Sequence, residues 1–288
     1  MAVDNKISAL IELLDDPDER VYHQVNNELM TFGNHIIPVL EDVWESSFNA
    51  TLQERIEELI HNIQFECMLK DFKEWTQSED KNVLEAALII SRYQYPDLNV
   101  QFVYDFIDQL TQDVWLELNN EYTAMEKAQI MNNVFFRIYG FHGNKKNFHA
   151  PRNTFLNKVL ESRCGNPLSL SIIYLEVARR LNIPIYGVNL PGLFIMAYLK
   201  LPINFIDKVE TKDILFYLNT FNKGAFFQIE DINNFLHQIE LEPKAEYMLP
   251  CDEVTMVKRM LNNLILSFDK SGYSEKVKEL KILINCMH

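Results

Sequence analysis

Cys164 is the one thiol whose neighbourhood suggests chemistry. It lies three residues before Pro167, at the start of a long apolar run, and the positive end of a helix stabilises a thiolate. A thiolate of that kind attacks acyl groups if an imidazole stands by as base, and His142 and His149 are the histidines at hand. A single cysteine with sequence-distant histidines is a weak signal, and the simpler reading is a small residue in a turn that neither histidine touches.

The elements around Cys164 are legible. Asn166 is a good N-cap and Pro167 suits the first helical position, where φ is preset and no N–H is required. In the helix that follows, Leu168, Leu170, Ile172, Ile173, Leu175, Val177, Ala178 and Leu181 nearly encircle the axis, so it is predicted to be the buried centre of its domain. Asn182 and Pro184 end it. A strand over 185–190, the turn Pro191-Gly192 and a second strand over 193–199 come next.

Three segments then carry a family resemblance: GFHGN (140–144), RCGNPLSLSIIYLEVARRLNIPIYGVNLPGLF (163–194) and FYLNTFNKG (216–224). Over roughly residues 120–240 the chain resembles the transglutaminase-like core, most closely its bacterial SirB-type branch. That resemblance implies a cysteine opening the buried helix, a histidine on the next strand and an aspartate on the one after. At those positions this sequence has Pro167, Leu193 and Asn219. An orienting amide is tolerable in such a triad, but it has no imidazole here to orient. Losing the nucleophile or base removes on the order of a millionfold in turnover. The resemblance therefore implies a noncatalytic protein with a regulatory or protein-interaction role in the bacterial cytoplasm. Two alternatives stand beside it: a cysteine-dependent acyl transferase or hydrolase using Cys164 with His142 or His149, and small-ligand binding in a vacated cleft walled by Asn166, Asn189, Leu193 and Asn219.

The expected fold is α+β and mostly α. Residues 1–115 form a helical region resembling HEAT repeats: a helix to Leu14, a break at Asp15-Asp16-Pro17, a second helix over 19–32, a Gly33 stop and a third helix from about Ile36. Helical spacing continues over 52–65 and 67–75, and 78–97 reads as a degenerate second repeat. Residues 116–243 are the transglutaminase-like core. Residues 244–288 form a helical hairpin of the tetratricopeptide-like kind, with helices over 253–268 and 274–287. Phe135, Phe136, Tyr139 and Phe141 are read as core.

Composition narrows the classes. With 27 Lys and Arg against 41 Asp and Glu, the chain has a formal charge of −14, and its basic residues fall in pairs such as Lys145-Lys146. Nucleic-acid binding is not expected from that balance. Cys67, Cys164, Cys251 and Cys286 show no metal-type spacing, so neither a metal nor another cofactor is expected, and unpaired thiols suit the cytoplasm. The N-terminus lacks signal-peptide character, and no run is long and apolar enough to span a bilayer. The helical repeats either hold a protein partner or simply cap the central core, and both readings stand.

Overall fold

The computed structural model describes residues 2–203 and 206–287. It is α+β and mostly helical, and it divides into two compact units.

The first unit holds residues up to 74 together with 92–96. It contains α1 (Ala2–Glu12), α2 (Glu19–Met30), α3 (Ile37–Ser46) and most of α4 (Ala50–Gln77). Asp18 caps α2 by accepting from the Arg20 N–H. Leu14, Leu29, Ile36, Leu40, Ile56 and Leu59 form its core. Arg55 secures the Pro17 break: its Nη1 donates to the carbonyls of Leu14 (2.7 Å) and Asp16 (2.9 Å), its Nη2 pairs with Glu19 (3.0 Å), and its guanidinium lies 4.2 Å from the Tyr22 ring centroid. The spacing predicts two helices over 52–65 and 67–75, whereas α4 is continuous. No Gly or Pro lies between residues 50 and 77, so nothing interrupts the hydrogen-bond ladder.

The second unit holds residues 75–91 and those from 97 onward. Its helices are α5 (Val83–Arg92), α6 (Val100–Glu117), α7 (Ala124–Asn132), α8 (Leu156–Ser162), α9 (Pro167–Arg180), α10 (Ile229–Gln238), α11 (Glu253–Lys270) and α12 (Ser274–Asn285). α7 runs into a wider π-helical turn over Asn133–Ile138. Two short strands, β1 (His142–Gly143) and β2 (Cys164–Gly165), pair in parallel. A separate antiparallel sheet takes β3 (Ile185–Val188), β4 (Ile195–Leu199), β5 (Ile214–Asn219) and β6 (Ala225–Phe227) in chain order.

As its sequence predicts, α9 is buried nearly all round, from Pro167 through Tyr174 and again at Glu176, Val177 and Ala178. Asn182 leaves it with φ +53°, the left-handed conformation that asparagine tolerates. α9 packs on β3 and β4, and Tyr174 lies near Tyr198. On the other face of the sheet, Val188, Ile195, Ala197 and Leu199 cluster with Ile232 and Leu236 of α10. β4, covered on both faces, is buried along its length. Phe135 and Phe141 stack at 4.3 Å between ring centroids, and Phe135 also meets Tyr174 at 5.3 Å, so these aromatics are core. α11 and α12 pack against each other.

Candidate functional site

The start of α9 is closed by its own hydrogen bonds. Asn166 Oδ1 accepts from Ser169 N (2.9 Å), and the Asn166 N–H donates back to Ser169 Oγ (3.1 Å), a reciprocal cap. Ser169 Oγ donates to the carbonyl of Asn153 (2.6 Å), and Asn166 Nδ2 donates to Thr154 Oγ1 (2.9 Å). One turn on, the Pro167 carbonyl accepts from Ser171 Oγ (2.8 Å) and Thr220 Oγ1 (3.2 Å), which stand 2.9 Å apart. Asn153, Thr154, Asn166, Ser169, Ser171 and Thr220 are all buried. The network consists of hydroxyls, amides and carbonyls, and none of these groups titrates near neutral pH.

Pro167 and Asn219 come together at this entrance, because Thr220, next to Asn219, bonds the Pro167 carbonyl. The Asn219 side chain caps the turn after β5, accepting from Asn222 N at 3.2 Å. Leu193 is half-buried in the α10-side cluster with Val188, Leu190 and Ile195. Asn189 Oδ1 is taken by Arg259 Nη1 of α11 at 2.5 Å; that guanidinium also donates to the Leu190 carbonyl (2.9 Å) and lies 5.8 Å from the Phe194 ring centroid. A cavity of about 290 Å³ does open in this unit, but towards the other end of α9, among Ile172, Leu175, Ile183, Ile185, Cys251 and Met256. It is lined by none of Asn166, Asn189, Leu193 and Asn219.

Cys164 and His142 are direct partners in the β1–β2 register. Their side chains are nevertheless not joined: His142 Nδ1 lies 3.0 Å from the Gly140 carbonyl, and His149 packs edge-on against Phe148 at 5.2 Å. Among the described residues, no hydrogen bond links the Cys164 sulfur to an imidazole. Burial pushes the Cys164 thiol pKa up, and the nearby Arg152 charge offsets this only in part. A nucleophilic thiol needs the opposite shift. All four cysteines are unpaired, and among the described residues no three His, Cys, Asp or Glu side chains cluster in a way that would hold a metal ion.

Sequence reasoning misses the buried polar network. Asn153 closes a single 3₁₀ turn and Thr154 follows it, too short a stretch to show periodicity, and Thr220 becomes significant only once the turn after β5 is placed beside α9.

Residues 101–262, from α6 to the first half of α11, match the family model of the transglutaminase-like superfamily. The chain belongs to that superfamily. The matched span includes every residue of the α9 entrance. Among its relatives is the UPF0162 protein of Xylella fastidiosa (strain 9a5c), 30% identical over 188 residues covering 63% of each chain. A UPF0162 protein of Pseudomonas aeruginosa is 34% identical over 118 residues, covering 41% of this chain and 43% of that one. F-box only protein 21 of Homo sapiens is 23% identical over 249 residues, covering 77% of this transglutaminase-like chain and 38% of its relative. The chain thus spans just under two thirds of the Xylella relative's length. No solved structure matches it.

Proposed function

We propose that this chain is a noncatalytic, SirB-type member of the transglutaminase-like superfamily, serving a regulatory or protein-interaction role in the bacterial cytoplasm. One observation carries the reading. The three positions that the family resemblance marks for catalysis hold a helix-opening proline, a leucine packed in an apolar cluster and an asparagine whose oxygen caps its own turn. A proline supplies no nucleophile and a leucine accepts no proton. The polar groups at the α9 entrance bond to one another and stay buried. Of the two helical flanks, the HEAT-like region is the one whose exposed face would hold a partner, and the C-terminal pair serves packing.

The test uses Cys164, the residue an enzyme would require. In a chain with Cys67, Cys251 and Cys286 changed to serine, alkylation of Cys164 is followed against pH. Its midpoint is expected above the ordinary thiol value of about 8.5 and higher still in Arg152→Gln, which removes the one nearby charge favouring the thiolate. Acyl-ester hydrolysis and amine transfer by the natural chain are expected to match Cys164→Ala. A midpoint below neutrality that His142→Ala or His149→Ala abolishes, with turnover lost in Cys164→Ala, overturns the reading.

A further inference from the structure

The chain carries 41 acidic residues, yet residues 127–160 and 214–229 contain none of them. These two stretches hold β1, the loop after it and the turn after β5. The next acidic residue along the chain, Glu161, is paired with Lys158 at 2.7 Å. In a chain of charge −14, such gaps leave the cations within them without acidic sequence neighbours.

The fold gathers four of the cations of these stretches. The segment over 144–153 is a loop with its ends fastened: Asn144 Nδ2 donates to Asn153 Oδ1 (2.9 Å), and Asn153 Nδ2 donates to the carbonyls of Asn147 (2.7 Å) and Phe148 (3.0 Å). Lys145, Lys146, His149 and Arg152 are exposed on this short closed loop. Phe148, at its tip, is 44% exposed and meets the Phe221 ring edge-on at 5.5 Å, which brings the exposed Lys223 to the same surface. Phe221 in turn presses on Gly143 of β1. Exposed His142 lies on that strand too. Among the described residues, none of Lys145, Lys146, Arg152 and Lys223 is in an ion pair. Many of the other cations are paired, as Arg55, Arg92, Lys158, Arg179, Arg180 and Lys212 are.

We propose that this surface docks an acidic peptide segment of a protein partner, with Lys145, Lys146, Arg152 and Lys223 facing its carboxylates and Phe148 receiving an apolar side chain. The proposal deepens the noncatalytic interaction reading and rests on it. Charge complementarity supports it: four unpaired cations around an exposed aromatic ring suit a short segment with a few carboxylates and one apolar anchor. A nucleic acid fits less well, because its long line of phosphates would also meet the negative field of the remaining chain.

The experiment measures fluorescence anisotropy of a short fluorescein-labelled peptide of glutamates interrupted by phenylalanine, titrated with the full chain. Saturable binding that weakens with added salt is expected. The double reversal Lys145→Glu/Lys146→Glu, and separately Arg152→Glu, each weaken it about tenfold, a change of about 1.4 kcal/mol. Phe148→Ala weakens it while leaving the salt dependence unchanged. Lys278→Glu on α12, outside this surface, leaves it unchanged, and melting curves matching the natural chain show that each variant folds. Absent binding, an equal loss in Lys278→Glu, or tighter binding of an oligothymidine than of the peptide overturns the proposal. The readout involves no turnover, so a reactive Cys164 would sink the noncatalytic reading without altering the peptide result, and a lost peptide signal leaves the thiol titration standing.

Discussion

Replacing Asn166 with alanine probes whether the closed entrance of α9 is what holds this helix in place. Two losses add. The cap itself, Oδ1 to the Ser169 N–H, is worth about 1 kcal/mol. Removing Nδ2 strips the buried Thr154 hydroxyl of its donor, which costs about 1–3 kcal/mol. The sum is about 2–4 kcal/mol, or a fall in Tm of about 4–16 °C for a unit of this size. Hydrogen exchange at the α9 amides is the assay to choose, because it reports on the unit that contains the helix and is blind to the N-terminal one. Asn166→Ser supplies the control: it keeps an oxygen for the cap and loses only the amide donor, so its effect is expected to fall midway. If Asn166→Ala costs under about 0.5 kcal/mol, within the range of a surface substitution, or if the alanine and serine variants behave alike, the entrance network does not anchor the helix.

Two further outcomes follow from buried contacts. A Cβ added at Gly143 would lie 2.4 Å from the Phe221 ring, so Gly143→Ala is expected to destabilise the second unit by about 1–3 kcal/mol in urea unfolding, and Phe221→Ala to recover most of that in the double variant. Glu176 is buried, which by itself raises its pKa, but hydrogen bonds from Arg179 (2.9 and 2.8 Å) and Arg180 (2.7 Å) outweigh burial and hold the pKa below the ordinary carboxylate value. A depressed pKa contributes stability above the unfolded carboxylate value of about 4.3, and this is lost as pH falls through the folded value. Glu176→Gln is therefore expected to cost about 1–3 kcal/mol at neutral pH, less than breaking a fully buried pair because Arg179 is 63% exposed and Arg180 keeps Asp108 as a partner, and to flatten the acid limb of the stability curve.

Much of the second unit is legible in the sequence because its signals are local. Asn166-Pro167 marks the start of α9, apolar residues all round mark its burial, and Pro191-Gly192 separates β3 from β4. The β1–β2 pair is invisible to the same reasoning: two-residue strands show no alternation, and their partnership depends on a contact across twenty-two residues. The π-helical turn after α7 is hidden too, since NVFFRI has the same helical spacing whether wound by 3.6 residues or more. At the candidate site, the residue types at 167, 193 and 219 are plain in the sequence. What surrounds them is not, because Thr220 reaches the Pro167 carbonyl, Thr154 the Asn166 amide and Arg259 the Asn189 oxygen from distant segments.

The amide clasp between Asn144 and Asn153 has one more implication. Its members carry no charge at any pH a protein survives, and ionic strength does not weaken a contact between neutral dipoles. The clasp itself is accordingly expected to hold from mild acid to mild alkali and from dilute buffer to brine. Whatever meets the loop finds that fastening in place, while the medium turns the lysine and arginine field up or down.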